Sequence, residues 1–244
     1  MKVILFGEHA EELGGDLRAH KNLDRCESEP EAVVCFGGDG TLLSAELKWP
    51  YIPKVPIRNS EVGKRMMNHP PGEIIRNLAE GTLMPSKHMK VECSVRPSQG
   101  EVFLAPLSAL NEFNVRLGAG NSALRYRIWI DNHPIEEGVE IIGDGFIVST
   151  PFGSTAYYRQ ITRGIFHAGL GIAFKYTSEL VNHIVTLETS VIRAKITRGL
   201  ARLGYDSAAE EVPLATGDEL VIKRDPRPAT LLTINKLHRP SDEL

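Results

Sequence analysis

The chain has 244 residues, 42% of them hydrophobic, and a formal net charge of −3. This length can bury a sizeable core and fits one large domain or two small ones. The weak negative charge provides no general basic field for capturing nucleic acid, so local groups must hold any anionic ligand. No stretch of the sequence is long and apolar enough to span a membrane.

The cysteines and the first residues bear on the cellular compartment. Cys26, Cys35 and Cys93 lie far apart, with no Cys-x-x-Cys spacing and no neighbouring pair of histidines, so neither a disulfide framework nor a zinc site is predicted. The apolar run that begins at Val3 is too short for a signal peptide and meets charge at once. We therefore expect a cytoplasmic protein.

The first part of the chain alternates predicted strands and helices, which is typical of a parallel α/β sheet. The predicted strands cover residues 3–6, 32–36 and 54–57. The predicted helices are a weak one over residues 8–21 that Gly14 and Gly15 interrupt, one that begins at Thr41, and one over residues 73–79.

From His88 onward the sequence changes to apolar and polar residues in alternation, which predicts a largely antiparallel β lobe. The predicted strands cover residues 90–96, 101–107, 112–117, 124–130, 220–223 and 231–234. A hairpin turn is predicted at residues 131–134. Gly81 and Pro85 interrupt the chain just before the change, so the domain boundary is predicted near residues 81–88.

A glycine-rich motif follows the strand predicted over residues 32–36. Glycines at Gly37, Gly38 and Gly40 permit positive φ and close approach by a bulky anion, and the helix from Thr41 would direct its N-terminal amides at that anion. The motif also carries one carboxylate, Asp39. Taken alone, the pattern is compatible with a simple turn in which Asp39 only caps the helix.

Two further motifs carry polar groups. Asn111 precedes the strand predicted over residues 112–117 and Glu112 begins it. Both can reach one ligand only if the backbone turns there, because neighbours in a strand point to opposite faces. The alternative is that Asn111 begins a turn and Glu112 is solvated. Residues 144–157 form an apolar strand, a turn rich in hydroxyls and glycine, and the start of a helix, which suits pyrophosphate and sugar.

In this order, the three motifs resemble those of the NAD kinase family, in which Gly-Gly-Asp-Gly, Asn-Glu and Ser-Thr-Pro-x-Gly-Ser-Thr-Ala-Tyr segments line one cleft. Lipid kinases and phosphofructokinases share the first motif, and the third separates NAD kinases from both. The resemblance implies a two-domain α+β fold. Residues 1–87 would form an α/β phosphate-loop domain to which residues 227–244 return, and residues 88–226 a β-rich nucleotide-binding domain.

The resemblance also implies an activity, in which ATP or polyphosphate donates a phosphoryl group to the 2′-hydroxyl of the adenosine ribose of NAD. Mg²⁺ would assist, Asp39 would be the catalytic base, and the assembly would be a homodimer or homotetramer. No metal ligand is assigned. The residues expected to bind the nucleotides are Gly38, Gly40, Thr41, Asn111, Glu112, Asp144, Ser154, Thr155, Ala156, Tyr157 and Asp206, the last at a position where the family usually has Asp-Gly and this chain has Asp-Ser.

Two segments depart from the family pattern. Residues 56–65 stand where the family has an apolar, partly aromatic wall, and here they carry Arg58, Lys64 and Arg65. These cations either clamp phosphates, the role expected of Arg58, or belong to a solvated loop. The family's proline- and histidine-containing stretch is not recognisable in residues 176–196.

Two alternatives stay open. The altered wall suggests a kinase with another acceptor, such as a nucleoside, a sugar or a lipid. A separate alternative is a protein that binds NAD without turning it over, against which Asp39 argues, because a carboxylate beside a phosphate repels it unless a metal intervenes.

Overall fold

The computed structural model describes residues 1–61, 63–99, 106–118, 123–177 and 181–235. The strand predicted over residues 101–107 lies mostly outside the described residues, and so does the end of the returning segment, from residue 236. Across the described ranges, no helix is long and apolar enough to cross a bilayer.

The described residues form 17 strands, four α-helices and three short 3-10 helices. The strands, β1 to β17 in chain order, are Lys2–Phe6, Asp24–Arg25, Ala32–Gly37, Lys54–Arg58, Met84–Arg96, Leu107–Ala109, Glu112–Leu117, Leu124–Ile130, His133–Pro134, Ile141–Gly143, Gly145–Ser149, Leu170–Lys175, His183–Thr186, Ile192–Arg198, Ala201–Tyr205, Val212–Leu214 and Glu219–Thr233. The α-helices, α1 to α4, are Gly14–Arg18, Asp39–Lys48, Pro71–Glu80 and Tyr157–Thr162. The 3-10 helices are Ala10–Leu13, Ile135–Gly138 and Gly153–Thr155.

The chain divides into two compact units. The first comprises Met1–His88 and the described residues from Arg227 onward, and the second comprises Met89–Pro226. Strand β17 therefore begins in the second unit and ends in the first.

The first unit is built on parallel strands in the order β2, β1, β3, β4, and the last residues of β17 lie beside β4. Strand β3 is central, and its run of apolar residues is buried from Ala32 to Phe36. A parallel strand with neighbours on both sides and helices over its faces requires such a continuous apolar run. The predicted parallel α/β arrangement is confirmed.

The helices of the first unit follow local sequence signals. Helix α3 has Pro71 in its first turn, where no N–H is needed, and ends at Gly81 with φ of 68°. Two boundaries differ from prediction. Gly14 and Gly15 do not interrupt a helix, because α1 begins at Gly14, and α2 begins at Asp39 rather than Thr41.

A buried ion pair joins α2 to β4. Lys54 is 0% exposed and Glu46 2% exposed, and the Lys54 ammonium contacts the Glu46 carboxylate and donates to the carbonyl of Trp49 at 2.7 Å. Loss of either partner would leave an uncompensated buried charge, which is strongly destabilising. The pair thus fixes the helix that begins at Asp39 against the sheet.

The second unit is antiparallel throughout its described pairings. One sheet has the order β13, β12, β11, β7, β15, β16, and at its centre Phe146 pairs with Val115 and Phe174. The remaining strands include the run β10, β8, β14, β17. Both groups contribute to one buried cluster, for example Phe113 from the first and Tyr126 from the second. The predicted β-rich second part is confirmed.

Two local predictions in the second unit have different outcomes. The predicted hairpin is correct, because Asp131 and Asn132 have φ of 51° and 68°, as a two-residue type I′ turn requires, and Trp129 pairs with Pro134. The separate strands predicted at 220–223 and 231–234 are wrong as a pair, because both belong to β17. This strand runs without a break through two prolines, residues that usually end strands.

Candidate functional site

The glycine-rich turn of the first unit joins β3 to α2. A Cβ on Gly37 would lie 2.3 Å from the Thr41 hydroxyl oxygen, and one on Gly38 would lie 3.1 Å from the Ser60 hydroxyl oxygen. A Cβ on Gly40 would meet nothing within 4 Å. Gly38 does not use the positive φ that a glycine permits, since its φ is −108°. The glycines serve close packing at Gly37 and Gly38, and Gly40 leaves open space at the start of the helix.

Asp39 is the first residue of α2 and is half-buried. Its carboxylate accepts hydrogen bonds from the backbone N–H of Arg65 at 2.8 Å and of Lys64 at 3.2 Å. The N-cap of α2 is Gly38, so Asp39 does not act as the helix cap that the simpler interpretation proposed. The two amides instead hold the carboxylate toward the segment that departs from the family pattern.

That segment comprises the end of β4 and a loop, named the Arg58 loop here, which includes the described residues 59–61 and 63–65. The Arg58 guanidinium donates to the carbonyl of Ser60 at 2.9 Å and to that of Glu61, and Asn59 N–H donates to the carbonyl of Gly37 at 2.9 Å. Two N–H groups of Arg58 therefore bind carbonyl oxygens of its own loop. These contacts fix the loop that leads to Lys64 and Arg65, and the phosphate-binding role expected of Arg58 stays a prediction.

The Asn-Glu motif of the second unit lies at a bend between β6 and β7, so the condition that the backbone turns there is met. The carboxylate of Asp206 accepts hydrogen bonds from Leu110 N–H at 2.7 Å and Asn111 N–H at 2.8 Å. Asp206 itself has φ of 43°. This aspartate thus fixes the bend that presents Asn111 and Glu112.

The two carboxyl groups at this bend have raised pKa values. Burial, reinforced by the charge of Asp206, raises the pKa of Glu112 to about 8, and its Oε2 atom is buried with no hydrogen-bond partner among the described residues. Burial also raises the pKa of Asp206 to about 6, although three backbone hydrogen bonds and Lys90 favour its ionised form. At neutral pH, Glu112 is therefore mostly protonated and can donate a hydrogen bond as well as accept one.

The third motif packs directly on the second. Thr150 N–H donates to the Asn111 carbonyl at 2.9 Å, and the Thr150 hydroxyl donates to the Leu110 carbonyl at 2.6 Å. A Cβ on Gly153 would lie 2.3 Å from the Asn111 carbonyl oxygen, so only glycine fits. Ser154 is buried, with its hydroxyl 2.9 Å from the Pro151 carbonyl oxygen, and so stabilises the turn with its side chain.

The end of the third motif is more accessible. Thr155 and Ala156 are half-buried at the end of the 3-10 helix, and Tyr157 begins α4 with its side chain exposed. Asp144 is exposed between β10 and β11. The ammonium of Lys175 lies 6.0 Å from the centre of the Tyr157 ring and interacts electrostatically with Asp144.

The predicted residues fall into two groups, one in each unit. The first unit brings together the Gly38–Thr41 turn and the Arg58 loop. The second unit brings together the Asn-Glu bend, Asp206 and the third motif. Sequence reasoning did not identify two residues that lie close to the predicted ones. Gly7 packs against the end of β3, where its Cβ would lie 2.0 Å from the Phe36 carbonyl oxygen, and Lys175 lies near the Tyr157 ring. A glycine directly after the first strand was the available signal for Gly7.

No group of three or more His, Cys, Asp or Glu side chains that could hold a metal ion is present within the described ranges. A magnesium ion bound mainly by nucleotide phosphates and water needs only one or two protein carboxylates, so the donor set of a kinase site is compatible with these residues.

Comparison with known proteins gives a consistent family. An NAD kinase of Chromobacterium violaceum is 31% identical, with the similarity covering 86% of this chain and 74% of that protein. An NAD kinase of Thiobacillus denitrificans is 27% identical, covering 94% and 80%. No family model matches the chain.

Solved structures agree at the level of the fold. The chain is similar to yeast NADH kinase complexed with NADH, with a TM-score of 0.80 at 18% identity over 99% of this chain and 76% of that one. It is also similar to an NAD kinase from Archaeoglobus fulgidus in complex with ATP, with a TM-score of 0.75 at 19% identity over 98% and 94%.

Proposed function

Because the chain belongs to the NAD kinase family, we propose that it transfers a phosphoryl group from ATP or polyphosphate to the 2′-hydroxyl of the adenosine ribose of NAD, which yields NADP. The observation that carries this proposal is the Asp39 carboxylate, fixed by two backbone amides at the start of a ten-residue helix. A phosphotransferase needs such an acid and a nearby site for phosphate.

Asp39 acts as the base in this proposal. As the oxygen of the ribose hydroxyl forms its bond to phosphorus and the bond to the leaving oxygen of the donor breaks, the hydroxyl proton passes to the Asp39 carboxylate. The hydrogen bonds from Lys64 and Arg65 keep the carboxylate in one orientation, so that little alignment remains to be done when the substrate binds.

The start of α2 holds phosphate. The N-terminal amides of the helix and its dipole favour an anion, and Gly40 leaves the space that an approaching phosphate needs. Gly38 and Thr41 complete this turn. The Arg58 loop acts indirectly, by holding the amides that hold Asp39.

The second unit binds the nucleoside. Asn111 has both a donor and an acceptor for a base edge, and Glu112 in its protonated form can hydrogen-bond a ribose hydroxyl in either direction. Asp206 and Ser154 position these groups. Asp144, Thr155, Ala156 and Tyr157 are the exposed or half-buried groups that would contact the rest of the dinucleotide.

Mg²⁺ would enter with the phosphates, where it neutralises charge that develops on the transferred group. No side chain among the described residues is assigned as its ligand. A homodimeric or homotetrameric assembly and a cytoplasmic location remain predictions.

The test is NADP formation by the whole chain with Mg²⁺, read through an NADP-specific dehydrogenase. ATP and polyphosphate as separate donors, and NAD and NADH as separate acceptors, identify the substrates. Product with any donor supports the proposal. Absence of product from NAD and NADH, with NAD still raising the melting temperature, would instead favour a binding protein or the altered acceptor that the cationic segment at residues 56–65 suggests.

A further inference from the structure

A cavity of about 760 Å³ lies in the second unit, beside α4 and the end of β12. Its volume is in the usual range for small-molecule sites. Helix α4 and the residue after it contribute Tyr157 and Arg163 to the lining. The end of β12 and the residues that follow it contribute Lys175, Tyr176 and Asn182. Two of the described lining residues are cationic and none of them carries a carboxylate, so the cavity favours an anion.

Lys175 is an unusual residue to find in this position because only 7% of it is exposed. Its ammonium donates to the Asn114 side-chain oxygen at 2.7 Å, which leaves two of its three N–H groups for other partners. Burial, together with the positive charge of Arg116, lowers the pKa of Lys175 to about 8, and Asp144 offsets this only in part. A bound anion would stabilise the charged ammonium.

Two left-handed residues line the same cavity. Arg163 ends α4 with φ of 61°, at a position where helices usually place glycine, and Tyr176 has φ of 45° with 90% of its surface exposed. Side chains other than glycine adopt this conformation at an energetic cost, and such residues cluster at functional sites. An arginine at a position that favours glycine indicates that its guanidinium has a role in the cavity.

The backbone that carries Lys175 is held firmly. Asp144 N–H donates to the Lys175 carbonyl at 2.8 Å, and a Cβ on Gly143 would lie 2.8 Å from the same oxygen. The end of β12 is therefore packed against the residues before β11, and the ammonium is presented from a fixed position.

We propose that this cavity binds a phosphate group of a nucleotide-type ligand, with the Lys175 ammonium and the Arg163 guanidinium as its charged partners. The ligand class rests on the proposed function. The phosphate belongs either to the dinucleotide or to a free polyphosphate chain, which present the same anionic oxygens. The rings of Tyr157 and Tyr176 provide surfaces on which a flat base can pack.

The experiment is calorimetric titration of the whole chain with two probes, inorganic tripolyphosphate and NAD. The parent is compared with Lys175→Met and Arg163→Gly, and Lys223→Met, which removes an exposed lysine of the same unit, is the matched control. Affinity for at least one probe should fall about tenfold, or about 1.4 kcal/mol, in the first two variants and not in the control.

Arg163→Gly separates binding from folding. Glycine adopts the left-handed backbone without strain, so this variant should melt at a higher temperature than the parent while it binds the probe more weakly. A loss with tripolyphosphate identifies a free polyphosphate as a ligand, and a loss with NAD alone identifies the dinucleotide phosphate.

Unchanged affinity for both probes in Lys175→Met and Arg163→Gly, or an equal loss in Lys223→Met, would overturn the inference. The outcome is independent of turnover. If the chain forms no NADP but tripolyphosphate still binds through Lys175, the proposed function fails and the anion site stands. If NADP forms and neither variant affects binding, the proposed function stands and the anion site fails.

Discussion

Asp39 in the first unit and Asp206 in the second are held by the same device in different surroundings. Each carboxylate accepts hydrogen bonds from consecutive backbone amides, Lys64 and Arg65 in one case and Leu110, Asn111 and Glu112 in the other. Asp39 lies at the start of a helix next to the open space at Gly40, whereas Asp206 is half-buried in a position where burial raises its pKa to about 6.

The difference shows that hydrogen bonding alone does not define the role of an acid. The amides orient both carboxylates, but Asp39 is followed by Gly40, where a Cβ would meet nothing within 4 Å, whereas burial raises the pKa of Asp206. Asp206 uses the same bonds to fix a bend that carries other residues. The comparison therefore separates a residue that acts on substrate from one that positions residues, and three measurements test this separation.

The largest effect is expected from Asp39→Asn. An asparagine keeps the size of the side chain and can still accept from a backbone amide, but it cannot take the hydroxyl proton, so kcat should fall by about 10²–10⁴-fold. The melting temperature should change little. Steady-state NADP formation and thermal unfolding measure the two effects, with Asp24→Asn, an exposed aspartate of the same unit, as control. Activity equal to that of the parent would remove Asp39 from the chemistry.

Asp206→Ala should show the opposite profile. It leaves the amides of Leu110 and Asn111 without their acceptor, at about 1–3 kcal/mol for each group that stays buried, so the free energy of unfolding in urea should fall by about 2 kcal/mol or more. The dissociation constant for NAD should rise because Asn111 and Glu112 lose their fixed bend.

The matched variants for this prediction are Asp206→Asn and Glu210→Ala. The first retains one acceptor and should lose less stability, and the second alters an exposed acid nearby in the sequence and should lose almost none. If Asp206→Ala has the same free energy of unfolding as the parent but forms no NADP, Asp206 would take part in the chemistry and the contrast with Asp39 would be wrong.

The third measurement concerns the pH dependence of stability. The folded chain holds a proton on Glu112 up to about pH 8, whereas an unfolded chain releases it near pH 4.3, so the free energy of unfolding should decrease as pH rises through this window. Asp206 acts in the same direction up to about pH 6, and His88, whose pKa burial lowers to about 4, acts in the opposite direction up to about pH 6.5.

The interval between about pH 6.5 and 8 therefore isolates Glu112 from these two groups. Glu112→Gln should unfold at a temperature that depends less on pH in this interval, which a series of thermal melts would show. A slope identical to that of the parent would mean that Glu112 is already ionised in the folded chain.

Much of the fold was predictable because its signals are local. The buried apolar run of β3, the proline and glycine at the ends of α3 and the Asp131-Asn132 turn each follow from a few neighbouring residues. The site motifs were recognisable for the same reason, since the glycine positions and the Asn-Glu pair are contiguous in sequence.

The rest depends on contacts between distant residues. Nothing near Asp206 in sequence indicates that its carboxylate meets Leu110 and Asn111, and nothing near Asp39 indicates that its partners are the amides of Lys64 and Arg65. The contacts of Arg58 were not predictable, because a guanidinium that binds carbonyls of its own loop has the same sequence signature as one that binds phosphate.

Strand β17 has a consequence for biosynthesis. Its last part pairs with β4 in the first unit, where Leu231 lies opposite Lys54, although most of the chain separates the two in sequence. On the ribosome the first unit therefore lacks one of its strands until Leu231 has been made, while the contiguous second unit can fold as soon as it is made. Until then the β4 edge offers unpaired amides to other nascent chains, so truncation before Arg227 should yield an aggregating product.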